Sequence, residues 1–259
     1  MSTARVASFK DLSLYQADAL KDGQVYFDEA LEIKDAGIQY HRSGIGLKNK
    51  GGNDLYERLF SPSQKQFPRC KPVWYGRLIN RYWMDERTDE FFNLEYENIL
   101  KDNESVSFTR DAFMTALKIL WRQTASRLQA TIDFENHWFR NTIQCAFVKK
   151  DEQSRIDLHY LLGLVNSKYI AFTYNKLVRE AGRVFPQVKI THVKKLPLAI
   201  PPKQQQEQLA KMVKAILAAK RGNMSADTSV LEREIDQQVY TLYGLTPEEI
   251  KIVDDWKPA

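Results

Sequence analysis

Apolar positions along the 259-residue chain change their spacing several times, and each change predicts an element. Val73-Trp74-Tyr75-Gly76-Arg77-Leu78-Ile79-Asn80-Arg81-Tyr82-Trp83 is rich in aromatic and β-branched residues. Such residues suit a pleated, half-buried surface, so the run reads as strand, broken or bulged at Gly76. Leu117 to Gln123 and Thr142 to Val148 are two further apolar strands. From Leu158 to Leu177 the period becomes helical, with Leu161, Leu164, Val165, Tyr169 and Phe172 on one face. Val188 to Val193 alternates apolar and polar residues and predicts a half-buried strand, and Leu196 to Pro202 predicts an extended, proline-bounded segment.

The last third is helical. Leu209, Met212, Val213, Ile216 and Leu217 form one apolar face between Gln204 and Arg221, and Gly222-Asn223 stops it. Leu231, Ile235, Val239 and Leu242 mark a second helix ended by Gly244. Thr246-Pro247-Glu248-Glu249 opens a third, with a cap residue, proline at the first helical position and acids in the first turn. At the other end, residues 1–37 read as an acidic, mostly helical extension of weak periodicity. Arg42 to Asp54 packs four glycines, two asparagines and three cations into a segment with loop chemistry.

Composition adds limits. Hydrophobic residues are 43% and charged residues 27%, enough for a sizeable core. The longest uncharged run is the eleven residues from Gln237 to Pro247, short of the roughly 20 apolar residues a membrane helix needs. Met1 to Val6 lacks an apolar signal region. The two cysteines, Cys70 and Cys145, form no disulfide framework, which suits a reducing cytoplasm.

The net charge of +5 matters less than its distribution. Residues 38–82 carry nine basic and two acidic side chains, and residues 160–221 carry twelve and two. Residues 1–37, 83–104 and 222–259 are acidic. Two cationic blocks between acidic ones suit a surface that faces a polyanion.

Several chemistries are missing from the sequence. No glycine loop leads into Lys-Ser or Lys-Thr, and Gly44-Ile45-Gly46 lacks the third glycine of a dinucleotide fingerprint. The Asn-Pro-Pro-Tyr of amino-methyltransferases is absent. None of the four histidines lies within four residues of another His or Cys, so no zinc spacing is present and no metal or other cofactor is expected. Glu32-Ile33-Lys34, with Asp22 or Asp28 upstream, fits the loose acid…Glu-x-Lys pattern of Mg²⁺-dependent nucleases. The same spacing arises on solvated helix faces.

The basic stretches carry the other chemistry. Arginines such as Arg42, Arg77, Arg81, Arg122, Arg127 and Arg183 fork onto a phosphate or onto guanine O6 and N7. Asn49, Asn53 and Gln123 have the amide geometry for adenine, and Lys48, Lys50 and Lys71 suit phosphates.

Four stretches, in order, resemble the TaqI-like specificity domain, the target-recognition region at the C-terminal end of type IIG restriction–modification methyltransferases. Its role is related to that of type I specificity subunits. The first is the glycine-rich loop Gly44 to Asp54, and the second is Lys71 to Tyr82 with its Gly-Arg-x-Ile-x-Arg-Tyr pattern. The third is Leu117 to Gln123. The fourth joins Leu161-Leu162-Gly163-Leu164-Val165-Asn166-Ser167-Lys168 to Gly182-Arg183-Val184-Phe185-Pro186 and Lys195-Leu196-Pro197-Leu198-Ala199-Ile200-Pro201.

The resemblance implies an α+β fold, mixed and β-rich, with a DNA target-recognition domain at residues 38–202. Residues 1–37 are then an N-terminal extension and residues 203–259 a C-terminal helical hairpin. The implied function is sequence-specific binding of double-stranded DNA in a prokaryotic restriction–modification system, without methylating motifs or catalysis of its own. A methyltransferase or restriction subunit, or the rest of a longer chain, is the implied partner. The rival readings are a nuclease using Asp22, Glu32 and Lys34, and a scaffold that binds only protein.

Overall fold

A computed structural model describes residues 20–43, 52–115, 117–178 and 187–257. In chain order the first half runs β1 (Gln24–Tyr26), α1 (Phe27–Ala30), β2 (Leu31–Lys34), β3 (Gln39–Arg42), α2 (Gly52–Leu59), β4 (Phe60–Ser61), β5 (Cys70–Trp74), β6 (Ile79–Asn80), β7 (Trp83–Met84), β8 (Phe91–Asn93), β9 (Glu104–Ser107) and α3 (Arg110–Met114). The second half runs β10 (Lys118–Arg122), β11 (Ala130–Asp133), β12 (Trp138–Phe139), β13 (Ile143–Val148), α4 (Leu158–Asn166), α5 (Lys168–Val178), α6 (Ile190–Val193), β14 (Pro197–Ala199), α7 (Lys203–Gly222), α8 (Ser229–Leu242) and α9 (Pro247–Asp255). Helices and several small sheets are mixed along the chain, which is the α+β class expected.

The centre is an antiparallel sheet in the order β11-β10-β13-β2. Successive side chains on a strand point to opposite faces, and here each face meets its own core. Ile119, Trp121, Ala146, Leu31 and Ile33 join Ala130 and Ile132 on the face covered by helices. Leu120, Ile143, Cys145 and Phe147 enter the opposite core, with Phe60, Phe92, Phe113 and Phe139. That second core also holds the sheet β12-β5-β8-β4 and is flanked by the ribbon β3–β9. With both faces covered, the residues of β11 and the first four of β10 are buried. One of them is a lysine. Lys118 Nζ lies 2.6 Å from the Asp133 carboxylate and donates to the Thr115 carbonyl, while Asp133 also accepts from the backbone N–H of Glu135 and His137 and pairs with His137 Nδ1. A charge in such a position persists only when paired and hydrogen-bonded this fully.

The helical periods hold. Asp157 caps α4 by accepting from His159 and Tyr160 N–H, and α4 ends at Ser167 before α5 begins. α4 crosses α7 at Gly163, where a Cβ would overlap Leu209 Cδ2 and come 3.0 Å from Val213 Cγ2. The capping box at α9 pairs Thr246 with Glu249 in both directions.

Two segments depart from their pattern. Residues 24–34 form two strands around a single helical turn instead of a helix, because β1 pairs with β14 and β2 with β13. Burial decides this: Leu31 and Ile33 alternate inward with exposed Glu32 between them. Residues 190–193 are the short helix α6, not a strand. Val188 N–H donates to the Gln123 carbonyl, and no ladder follows to extend it; the chain turns back on Lys189, whose carbonyl accepts from His192 and Val193.

Candidate nucleic-acid interface

Strands β6 and β7 form a hairpin whose two-residue turn is Arg81-Tyr82, with Asn80 opposite Trp83. Tyr82 takes a positive φ of 63°, and its N–H donates to the Ala130 carbonyl on the outer edge of β11. Just upstream, the 3-10 turn Gly76–Leu78 rests on the end of β10. Gly76 N–H donates to Thr142 Oγ1 at 2.9 Å, and a Cβ on Gly76 would lie 2.7 Å from the Thr142 carbonyl and 3.3 Å from Arg122 Cβ. Only glycine allows that approach. β10 itself ends at Arg122, and Gln123 leaves it by donating to the Thr142 carbonyl and accepting from Val188 N–H.

Arg81, Arg122 and Arg127 therefore gather around the end of β10, with the Gln123 backbone at its last bonds and Arg77 on the turn that rests against it. Arg77 is 71% exposed; its guanidinium stacks 4.7 Å over the Tyr75 ring and reaches the Tyr75 hydroxyl and Asp89. Arg81 donates to the Asn166 carbonyl at 3.1 Å and forms an ion pair with Glu232, which also accepts from Thr228 Oγ1. Arg122 buries its Nε with no acceptor. Arg127 is half-buried, and no ion pair holds it among the described residues. Burial pushes the Arg127 guanidinium down from its ordinary value, and the cations of Arg81 and Arg122 push the same way against Asp236. Asp236, raised by burial, accepts instead from Lys168 N–H at the start of α5.

The other predicted contacts lie elsewhere. Arg42 is on the β3–β9 ribbon, where it pairs with Glu104 at 2.6 Å and Asp54 at 2.7 Å. Glu104 is buried and also meets Arg58 at 2.6 Å. Burial alone would raise its carboxyl, but the bonds from Arg58, the Lys101 N–H and Arg42 hold it down at about 2. Lys71 is exposed on β5, opposite Phe92. Asn53 falls in the first turn of α2. Lys48, Asn49, Lys50 and Arg183 lie outside the described residues.

Of the nuclease pattern, Glu32 and Lys34 share one side of β2 and pair with each other at 2.8 Å, and Asp22 sits in the turn before β1. Among the described residues, no group of three or more His, Cys, Asp or Glu could hold a metal ion. Nor is any described helix long and apolar enough to cross a membrane.

Sequence reasoning missed the residues that support the arginines. Asn166 accepts from Ala130 N–H at 2.9 Å and donates to the Ala130 carbonyl at 3.0 Å, so its amide stands in for a strand partner at the sheet edge. Ser167 donates to the Leu164 carbonyl and accepts from Ile170 N–H, joining α4 to α5. The Asn-Ser-Lys triplet was the available signal, and the i, i+4 acids Glu232 and Asp236 on α8 were another.

The family model of the TaqI-like C-terminal specificity domain matches residues 71–198. No curated protein matches the chain. Among solved structures, the chain is similar to the type IIG restriction endonuclease BpuSI, at 12% identity and a TM-score of 0.45, over 91% of this chain and 33% of that one. It is similar to the HsdS subunit from Thermoanaerobacter tengcongensis at 10% identity and a TM-score of 0.40, over 90% and 51%. It is also similar to the type I restriction–modification S subunit from M. genitalium at 11% identity and a TM-score of 0.34, over 95% and 48%. The chain thus spans between a third and about half of the length of these proteins.

Proposed function

Residues 71–198 are a TaqI-like C-terminal specificity domain, and on that premise we propose that the chain is a DNA target-recognition module of a restriction–modification system. The observation that carries the reading is the cluster of Arg81, Arg122 and Arg127 at the end of β10, with Arg77 and Gln123 on the backbone beside it. They come from two stretches far apart in sequence, and both stretches lie within the matched span.

The division of labour follows from chemistry. Phosphate contacts give register and most of the affinity, and base-edge contacts give specificity. Arg77 is the most exposed guanidinium of the group, and its stacking on Tyr75 orders it before DNA arrives. Gln123 offers an amide for an adenine edge, because its backbone groups are already bonded to Thr142 and Val188. Arg81 serves through its fixed position at the hairpin turn. Lys71 on β5 and Arg42 on the ribbon are candidates for outlying phosphates, as are Lys48, Asn49, Lys50, Asn53 and Arg183. Catalysis is supplied by a partner with methyltransferase or restriction activity, on a separate subunit or on the remainder of a longer chain.

Binding to duplex DNA measured by fluorescence anisotropy across a salt series tests this. A module neutralising five phosphates loses affinity with a log–log slope of about −4.5. Absent binding, or binding indifferent to salt, refutes it.

A further inference from the structure

Within this cluster the arginines differ in how their charge is met. Arg81 is satisfied by Glu232 and the Asn166 carbonyl. Arg122 and Arg127 make no ion pair among the described residues, although both are partly buried. Among the described residues, the α8 carboxylates that reach the group are already engaged: Glu232 by Arg81 and Thr228, and Asp236 by the Lys168 N–H. Arg122 Nε is out of contact with solvent and lacks an acceptor. Partly desolvated cations that repel one another, with a buried donor left open, are stabilised by an anion that brings several acceptor oxygens.

The backbone that carries them is held in place by its neighbours. Ala125 and Leu128, on either side of Ser126, are buried in the helical-face core. Ser126 accepts from Asn175 Nδ2 at 3.2 Å, and Gly76 closes over Arg122 Cβ.

We propose that Arg122 and Arg127 together form a preorganised seat for one phosphate group, which on the DNA reading above is a backbone phosphodiester. Their role is to hold the duplex in register and not to read a base. The seat supplies affinity that is the same for every sequence, and it leaves discrimination to Arg77 and Gln123. Burial, which lowers the Arg127 guanidinium together with its two cationic neighbours, is the cost that the bound phosphate offsets.

The test uses inorganic phosphate as the probe and the full chain as the protein. Thermal unfolding is followed in phosphate and in chloride at matched ionic strength. The wild-type midpoint is expected to rise by about 3 °C when phosphate is tenfold above its dissociation constant. Arg127→Gln and Arg122→Gln should each abolish that rise. In chloride alone Arg127→Gln should melt at or above the wild-type midpoint, because it removes a repelled, uncompensated cation. On duplex DNA the Arg127→Gln protein should bind about tenfold more weakly at low salt. The factor should be the same for unrelated sequences, with a salt slope shallower by about 0.9.

A wild-type midpoint that ignores phosphate overturns the seat even if DNA binds. So does a rise that survives both substitutions, or a loss of DNA affinity confined to one sequence. A phosphate rise that needs both arginines, in a protein that binds no duplex, supports the seat and refutes the DNA reading instead.

Discussion

Replacing Asn166 by alanine probes the joint between sheet and helices. Its amide makes two buried hydrogen bonds, both to Ala130, and the two are not equivalent. The Ala130 carbonyl also accepts from Tyr82 N–H at 2.8 Å, so it stays satisfied when Asn166 is truncated. The Ala130 N–H has only the Asn166 oxygen at 2.9 Å, and Ala130 is fully buried. Leaving that N–H unpaired costs about 1–3 kcal/mol, and losing the second bond adds about 1 kcal/mol. Asn166→Ala is therefore expected to lose about 2–4 kcal/mol in urea unfolding. Fluorescence of buried Trp121, on the neighbouring strand β10, reports the transition. DNA affinity of the folded fraction should fall too, because Arg81 donates to the Asn166 carbonyl and the hairpin turn rests on Ala130. A stability loss below about 0.5 kcal/mol, within the range of ordinary surface substitutions, would refute the argument.

Two further outcomes follow from the same geometry. Gly76→Ala places a Cβ against the Thr142 carbonyl, which is backbone and cannot yield, so a loss of about 1–3 kcal/mol and weaker DNA binding are expected from calorimetry and anisotropy. Glu104 and Asp54, each held at about 2, gain their stabilising contribution above the ordinary carboxylate range and lose it as pH falls from about 4.5 toward 2. Acid unfolding of Glu104→Gln should show a shallower dependence in that window, and an unchanged profile would count against the Arg42–Glu104–Arg58 network.

Strong periodicity was legible in the sequence. Trp74, Ile119, Trp121, Ile143 and Cys145 lie in strands where their neighbours predict strands, and Leu161, Leu164 and Val165 lie in a helix. The resemblance extended that legibility to the family. What failed was local pattern without its partner. Alternation at Leu31 and Ile33 is too short to outweigh an acidic, helix-like composition until β13 is known to lie alongside, and alternation from Val188 to Val193 finds only an isolated bridge, Thr124–Gln187, before the chain turns into α6. The arginines were legible by type, and Arg81, Arg122 and Arg127 lie near enough for their charges to act on one another, while Arg77 meets Tyr75 and Asp89. Their differing partners were not, because Glu232 and Asp236 reach the cluster from α8, far along the chain. Spacing cannot report a neighbour more than a hundred residues away.

The central sheet has a consequence for how the molecule comes apart. β10 and β13 contribute alternate side chains to two hydrophobic cores, so neither core can open while the other stays packed. Losing α7, which carries Leu209 and Val213, together with α4 would strip one face of the sheet and leave its residues wet, and the strands could not then hold the aromatic cluster on the far side. Unfolding is thus expected as one cooperative event, with an m-value for the whole chain and no stable half. The arginines at the end of β10 therefore keep their places only while both cores are packed.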